Sequence, residues 1–300
     1  MRRRQFFRVA QALCAPMALR PARFGSLREP AVTRASVGAE SDPEGRRSPW
    51  QPDGWAWRGR LGLLLPHSDT EPDSEFAALA PDGVSTHAMR VRYSGGAQSA
   101  DPVTRARSFV EPPGMDEAAE LLAQIGPNAI ALCYTSASYL HGPDGDRALK
   151  ARLETRTRGV PVALTCSSAV AALRAFGAKR VALVHPPWFS EEIDRRGAEY
   201  FQHQGFEVAY HARALLRTDR GNIHAGALYE WVRANVPREA EAIFMGGNGM
   251  RTIGAIQALE ESLGKPVLTS NQVAFWGALR MANIPARVSG YGRLFEKQLL

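Results

Sequence analysis

Short apolar runs alternate with amphipathic stretches along the chain from Arg60 onward. Such runs are typical of strands buried on both faces, and the stretches between them have the spacing of helices. The alternation predicts an α/β fold with parallel sheets and flanking helices. The predicted strands are Leu61–Leu65, Ser85–Arg92, Ala129–Cys133, Pro161–Leu164, Arg180–His185, Glu207–His211, Ala242–Met245 and Pro266–Thr269. The predicted helices are Met115–Ile125, Arg147–Thr157, Ser168–Phe176, Glu191–Gln204, Ala225–Val236, Thr252–Leu263 and Gln272–Met281.

Two segments share one plan, which is an apolar strand, a turn that contains proline and histidine, and then a helix. They are residues 61–76, LGLLLPHSDTEPDSEF, and residues 180–201, RVALVHPPWFSEEIDRRGAEYF. The repetition predicts two Rossmann-like halves, about 59–165 and 166–285, within one unit of residues 59–300. A ligand site is expected between the halves, because such folds bind ligands at the carboxyl ends of their parallel strands.

The basic charge of the chain lies in its first 60 residues. They hold 12 Lys and Arg against 5 Asp and Glu, whereas the rest of the chain holds 25 of each. The neutral body therefore lacks the clustered basic face that a nucleic-acid partner requires. Residues 1–58 are expected to form a disordered basic extension and linker, with a transit or export signal and a functional tail as alternatives. Since no apolar run approaches the roughly 18 residues that cross a bilayer, no membrane partner is expected.

The three cysteines, Cys14, Cys133 and Cys166, are odd in number and have no CxxC spacing. This pattern argues against a disulfide framework and against a structural zinc site, and it favours a reducing, cytoplasmic compartment. The histidines have no metal-binding spacing either, so no metal is expected.

A polar string, CYTSAS, directly follows the third predicted strand. Thr135 and Ser136 in this string are expected to bind a carboxylate through their hydroxyl and backbone N–H groups at the start of a helix. The alternative for these residues is an ordinary turn and N-cap.

A glycine-rich string, FMGGNGMRT at residues 244–252, follows the seventh predicted strand. Its glycines permit positive φ and close backbone approach, so Asn248 and Gly249 are candidates for an anion-binding nest, with a plain glycine turn as the alternative. The string is not GxGxxG and has no P-loop lysine, so no nucleotide cofactor is expected.

Two further turns contribute candidate binding residues. Ser68 follows the first strand and is a natural helix cap. Trp188 and Phe189 follow the fifth strand, where they are expected either to form the apolar wall of a pocket or to anchor the core.

Five strings of the chain occur in an order and spacing that a known family shares. They are LGLLLPHSDTEPDSEF, ALCYTSASYLHG, PVALTCSSAVAALRAFGAKRVALVHPPWF, FMGGNGMRT and KPVLTSNQVAFWGALR. Together they cover most of residues 61 to 293, and they resemble the maleate isomerase and arylmalonate decarboxylase branch of the aspartate/glutamate racemase superfamily.

The resemblance implies two Rossmann-like halves with a cofactor-free site between them, which acts at the carbon next to a carboxylate. It implies a carboxylate pocket of Thr135 and Ser136, faced by Ser68 and by the backbone of Asn248 and Gly249. It also implies a small carboxylate as the substrate and makes a homodimer plausible.

The chain departs from the family pattern at the reactive positions. The racemases and the isomerase use two cysteines, one from each half, and the decarboxylase keeps one. Here Tyr134 stands at the first position, with Cys133 one residue earlier, and the second position falls at Gly247 or Asn248. Asp69 stands where the family usually has asparagine.

The sequence therefore predicts a maleate cis-trans isomerase-like enzyme that acts at the carbon alpha to a carboxylate of a small mono- or dicarboxylic acid. An arylmalonate-decarboxylase-like lyase and a non-catalytic carboxylate-binding protein are the alternatives. Cys133 is the candidate nucleophile if its thiol reaches the pocket, and otherwise Tyr134 is the titratable group at this position.

Overall fold

The computed structural model describes residues 56–94, 101–216, 223–285 and 287–297. The predicted extension of residues 1–58 lies almost entirely outside this range. The strands are β1 Gly59–Pro66, β2 Val84–Val91, β3 Ala129–Leu132, β4 Val162–Leu164, β5 Arg180–His185, β6 Glu207–Arg213, β7 Ala242–Met245 and β8 Val267–Thr269. The helices are α1 Glu71–Leu79, α2 Pro102–Phe109, α3 Gly114–Ala123, α4 Thr135–Arg156, α5 Thr165–Ala175, α6 Glu191–His203, α7 Ala225–Asn235, α8 Ile253–Leu263 and α9 Ser270–Met281.

The strands form two four-stranded sheets in which every described pair is parallel. The order is β2-β1-β3-β4 in the first sheet and β6-β5-β7-β8 in the second. Because the same order occurs twice, the predicted α/β fold with two Rossmann-like halves is confirmed.

Strand alternation divides the side chains of each sheet between two cores. Leu63 and Leu65 of β1 belong to an inner core between the sheets, to which Phe244 of β7 also contributes. Leu64 of β1 faces the opposite way, into an outer core under α3 and α4. Since the inner core contains side chains from both halves, each half buries the apolar face of the other.

The last helix, α9, packs against β3 and β4 of the first sheet and against α5. A second link between the halves is the buried carboxylate of Glu75 on α1. It accepts hydrogen bonds from the backbone N–H of Thr252 at 2.6 Å and of Ile253 at 3.1 Å, and from Asn271 Nδ2 at 2.8 Å. Glu75 therefore caps the first turn of α8 from the other half of the molecule.

Two helices, α1 and α2, are absent from the predicted set, and α4 begins at Thr135 rather than at Arg147. Gly142 interrupts α4 with a φ of 70° and a ψ of −179°, and Pro143 follows it. Because glycine and proline are rare inside helices, their presence in this segment prevents the prediction of one continuous helix from the sequence.

In the part of the chain that the structure describes, no helix is both long and apolar enough to cross a bilayer. The described residues also contain no group of three His, Cys, Asp or Glu side chains arranged to hold a metal ion.

Candidate active site

A cleft opens at the carboxyl ends of the strands, between the two halves. The lining residues from the first half are Asp69, Tyr93, Pro102, Arg105, Tyr134, Thr135 and Ser136. Those from the second half are Trp188, Phe189, Ile193, Gly247, Asn248 and Gly249. The structure thus brings together eight of the ten predicted site residues and leaves Ser68 and Cys133 outside the cleft wall.

The side chain of Asn248 joins the two halves directly below the cleft. Its Oδ1 accepts hydrogen bonds from the Thr135 backbone N–H at 2.9 Å and from Thr135 Oγ1 at 2.7 Å. Its Nδ2 donates to Thr165 Oγ1 at 3.2 Å and to Asn271 Oδ1 at 2.9 Å. With all four bonds made inside the protein, the amide holds the start of α4 in place.

The Thr135 hydroxyl is engaged in the same network. Besides its bond to Asn248, it lies 3.0 Å from Ser270 Oγ and accepts a bond from the Gly247 backbone N–H at 3.1 Å. Thr135 therefore contributes to the shape of the cleft, while its hydroxyl and its N–H are occupied by protein partners.

Three backbone N–H groups that line the cleft remain without such partners. Those of Ser136, Asn248 and Gly249 take part in no hydrogen bond with any described residue. Ser136 lies in the first turn of α4, and the other two belong to the glycine-rich turn after β7. N–H groups in these two settings bind carboxylates, and here they come from opposite halves.

Tyr134 is a partly buried phenol next to these N–H groups. Its ring lies 4.2 Å from that of Phe109 and 6.3 Å from that of Tyr93, measured between centroids. Burial raises the pKa of Tyr134 well above its ordinary value of 10, and the neighbouring Tyr93 raises it further. Tyr134 is consequently protonated near pH 7, and the same burial makes its phenol a weaker acid than an exposed tyrosine.

The opposite wall of the cleft is apolar. It consists of Phe189, Ile193 and the half-buried Trp188. Phe189 stacks on the ring of His185 with 5.7 Å between the centroids. This wall limits hydration on one side of a bound acid.

His185 is fully buried behind that wall and holds a defined tautomer. Desolvation lowers its pKa, so the ring is neutral, and its Nδ1–H donates to the Asp194 carboxylate at 2.7 Å. Its Nε2 then accepts from the Tyr139 hydroxyl at 3.0 Å. A second histidine, His211, lies 2.6 Å from the other oxygen of Asp194.

Gly247, one of the two residues at which the family's second cysteine position falls, has no space for a side chain. Gly247 has a φ of 94°, a conformation that residues with a side chain rarely adopt. A Cβ atom there would lie 2.2 Å from Cγ of Pro186. Proline from the turn after β5 therefore occupies the space that a side chain at Gly247 requires.

The two described cysteines lie in the protein interior. Cys133 is fully buried in the inner core and does not line the cleft. Desolvation by burial raises the pKa of its thiol above the ordinary value of 9.0. Cys166 is also fully buried, and its Sγ lies 3.6 Å from the Thr135 carbonyl oxygen. Both thiols are therefore protonated and enclosed.

Ser68 is exposed, with its Oγ 3.5 Å from Asp69 Oδ1. Asp69 lines the cleft, and its carboxylate lies beside Gly249. Arg105, which the sequence analysis does not name, lines the cleft from α2. Asp101 caps this helix and Pro102 begins it, a combination that signals a helix start in the sequence.

A family model described as arylmalonate decarboxylase matches residues 111–295 of the chain. The arylmalonate decarboxylase of Bordetella bronchiseptica is 30% identical over 189 residues, which cover 61% of this chain and 77% of that protein. The maleate isomerase of Nocardia farcinica is 28% identical over 253 residues, which cover 79% of this chain and 96% of that protein. A solved structure of a Nocardia farcinica maleate cis-trans isomerase mutant, which holds a covalently bound succinylcysteine intermediate, superposes with a TM-score of 0.70 at 23% identity. The superposition covers 79% of this chain and 98% of that one, so the two proteins share their fold over most of their lengths.

Proposed function

Because the chain belongs to the arylmalonate decarboxylase family, as its sequence strings predict, we propose that it is an enzyme acting at the carbon next to a carboxylate of a small mono- or dicarboxylic acid. The relatives named above are isomerases and a decarboxylase, which supports an activity of this kind. A cytoplasmic location is part of the proposal, and the two free cysteines of the described region support it.

The observation that carries the proposal is that Ser136 and Gly249 line the same cleft from opposite halves, each with a backbone N–H that has no partner among the described residues. A carboxylate held between Ser136 and Gly249 gains negative charge when a carbanion forms at the neighbouring carbon, because the charge spreads onto its oxygens as an enediolate. Fixed N–H groups stabilise such developing charge without reorganising. The neutral Tyr134 phenol, beside the same donors, then gives its proton to the carbon.

Decarboxylation of a malonate-type acid is the reaction that this arrangement supports best. The bond between the central carbon and the leaving carboxylate breaks, carbon dioxide departs, and the electron pair enters the enediolate. Tyr134 protonates the carbon, and the phenolate recovers a proton from solvent. The apolar wall at Phe189 favours loss of the charged group, since a carboxylate is poorly stabilised there. This route needs one acid and neither a base nor a thiol.

Cis-trans isomerisation of a maleate-like diacid is the second candidate. The similarity to the Nocardia farcinica maleate isomerase along nearly all of that protein favours it. A route through a bound cysteine, such as the succinylcysteine intermediate of the solved relative, requires a thiol in the cleft. Among the residues that the structure describes, no cysteine lines the cleft.

Proton NMR in deuterated buffer tests both reactions with the full-length protein. Phenylmalonate, maleate, aspartate and glutamate serve as substrates, so that decarboxylation, isomerisation and deuterium exchange are seen in one experiment. We expect Tyr134→Phe to lower kcat by about 10²- to 10⁴-fold with little change in KM, since only proton donation is lost.

Two control variants separate the roles of the candidate residues. Cys133→Ala should retain kcat within a few-fold, and so should Tyr229→Phe, which removes a hydroxyl bonded to Ser262 away from the cleft. Loss of turnover in Cys133→Ala with full activity in Tyr134→Phe would contradict the assigned proton donor. Binding of these acids without any turnover would leave a carboxylate-binding protein in place of the enzyme.

A further inference from the structure

Asn271, at the start of α9, is a fully buried amide that bonds to the glycine-rich turn of the cleft. Its Nδ2 donates one hydrogen bond to the Asn248 backbone carbonyl oxygen at 2.9 Å and another to Glu75 Oε2 at 2.8 Å. Its Oδ1 accepts from Asn248 Nδ2 at 2.9 Å. Both donor hydrogens of the amide are therefore used, and its orientation is fixed.

Glu75 determines which way this amide faces. The backbone N–H groups of Thr252 and Ile253 and the Nδ2 of Asn271 surround its carboxylate. Because these groups only donate, the carboxylate oxygens that face them accept. Asn271 consequently turns its NH2 group, and not its oxygen, toward Glu75.

The bond from Asn271 to the Asn248 carbonyl sets the direction of the next N–H group. In a trans peptide unit, the C=O of one residue and the N–H of the following residue point in opposite directions. Since the Asn248 carbonyl points to the buried Asn271, the Gly249 N–H points away from it. Gly249 lines the cleft, and its N–H has no partner among the described residues.

Glycine at position 249 allows this peptide unit two orientations. The Met250 N–H donates to the Gly247 carbonyl oxygen at 3.1 Å, which closes a turn with Asn248 and Gly249 at its centre. Rotation of the central peptide unit of such a turn gives its third residue a positive φ, which glycine tolerates. Gly249 does not have a positive φ here. The turn itself thus permits both orientations, and the bond from Asn271 selects one of them.

We propose that Asn271 is a positioning residue, which holds the peptide unit between Asn248 and Gly249 with its N–H directed into the cleft. The inference rests on the proposed function, in which this N–H binds the carboxylate of the substrate. Without Asn271 the peptide unit can rotate, and the Asn248 carbonyl oxygen then faces the bound carboxylate and repels it.

Binding of phenylacetate, a non-reacting monoacid, to the full-length protein tests the proposal. NMR spectra of protein labelled at its glycine nitrogens should show the Gly249 amide resonance shifting as phenylacetate is added to the wild type. The resonance is identified by its absence from Gly249→Ala. In Asn271→Ala it should not shift, and Kd should rise about tenfold or more, as expected for the loss of one charge-assisted hydrogen bond.

Alanine at position 249 separates positioning from a general structural role. The added Cβ would lie 3.0 Å from Oδ2 at the end of the Asp69 side chain, so Gly249→Ala should still bind phenylacetate. Alanine disfavours the positive φ of the rotated turn, so Asn271→Ala should weaken binding much less in a Gly249→Ala background than in the wild type. A residue that only stabilised the fold would have the same effect in both backgrounds.

Glu75→Gln tests the same orientation without a truncation, and it carries the test if circular dichroism shows that Asn271→Ala does not fold. The N–H groups of Thr252 and Ile253 require an oxygen, so the new NH2 group faces Asn271 and forces its amide to turn. The bond to the Asn248 carbonyl is then lost, and Kd should rise as in Asn271→Ala.

Gln272→Ala is the matched control. It removes the neighbouring buried amide, which bonds to Thr269 and Tyr291 and not to the cleft turn, so Kd should stay at the wild-type value.

An unchanged Kd and an unchanged Gly249 shift in the folded variants at Asn271 and Glu75 would overturn the assignment of Asn271. An equal weakening by Asn271→Ala in both backgrounds would overturn it as well. In either case the proposed function would stand, because the wild type binds the acid and its Gly249 resonance responds. If phenylacetate did not bind to the wild type, or bound without shifting this resonance, the proposed function itself would fail, and this inference with it.

Discussion

Replacing Asn248 with alanine should destabilise the whole protein, because this amide bridges the two halves. The substitution leaves the buried N–H of Thr135 without an acceptor and Asn271 Oδ1 without a donor. The hydroxyls keep other partners, since Thr135 Oγ1 still bonds Ser270 and Thr165 Oγ1 still donates to the Leu132 carbonyl. Two unsatisfied buried groups at 1–3 kcal/mol each lower the free energy of unfolding by about 4 kcal/mol.

A loss of this size should be easily measured. For a unit of roughly 250 residues, each kcal/mol lowers Tm by about 2 to 4 °C, so Tm should fall by about 8 to 16 °C. Thermal and urea denaturation followed by circular dichroism provide the assay. Asn235→Ala is the matched control, because that exposed amide donates one hydrogen bond within its own helix and its loss should cost less than about 0.5 kcal/mol. If Asn248→Ala and Asn235→Ala had the same Tm, the amide network would not join the halves as described.

Two other outcomes follow from the structure. Gly247→Ala should lower the free energy of unfolding by about 2–4 kcal/mol, because Gly247 has a positive φ and the added Cβ would lie 2.2 Å from Pro186 Cγ. The control Gly226→Ala, at a helical position with open space around it, should be neutral or stabilising in the same urea titration. A neutral Gly247→Ala would show that Pro186 moves freely. Burial lowers the folded-state pKa of His185 below the unfolded value of 6.5, so the unfolded chain binds the extra proton, and the stability present above pH 6.5 should be lost as the pH falls through the folded pKa. Urea titrations at pH 7.5 and 5.5 should show this loss in the wild type and a smaller loss in His185→Gln. An equal loss in both proteins would assign the acid sensitivity to other groups.

The sheets could be predicted from the sequence because their strands are buried on both faces. Apolar runs such as Arg180–His185 and Ala242–Met245 match the observed strands residue for residue. The extent of α4 could not be predicted in this way, because Gly142 and Pro143 separate the helix start expected at Thr135 and Ser136 from the helix predicted from Arg147. The first turn of α4 also depends on a cap from Asn248, which is 113 residues away in the chain.

In the candidate site too, the features set by neighbouring residues could be predicted from the sequence, and those set by distant residues could not. Tyr134 and Ser136 directly follow a strand and line the cleft, so their positions follow from the local pattern. The hydrogen bonds of Asn248 to three protein partners do not follow from the local pattern, because each partner comes from a distant segment of the chain. Arg105 escapes the sequence analysis because it belongs to α2, a helix that is absent from the predicted set.

The position of α9 has a consequence for the synthesis of the protein. This helix covers β3 and β4, yet Ser270–Met281 is translated more than a hundred residues after those strands. A ribosome-bound chain that has completed the first sheet therefore still exposes one apolar face of it, until nearly the entire protein has emerged. If the first half folds before α9 is synthesised, this face lacks its native cover, and such exposed apolar surface is prone to aggregation.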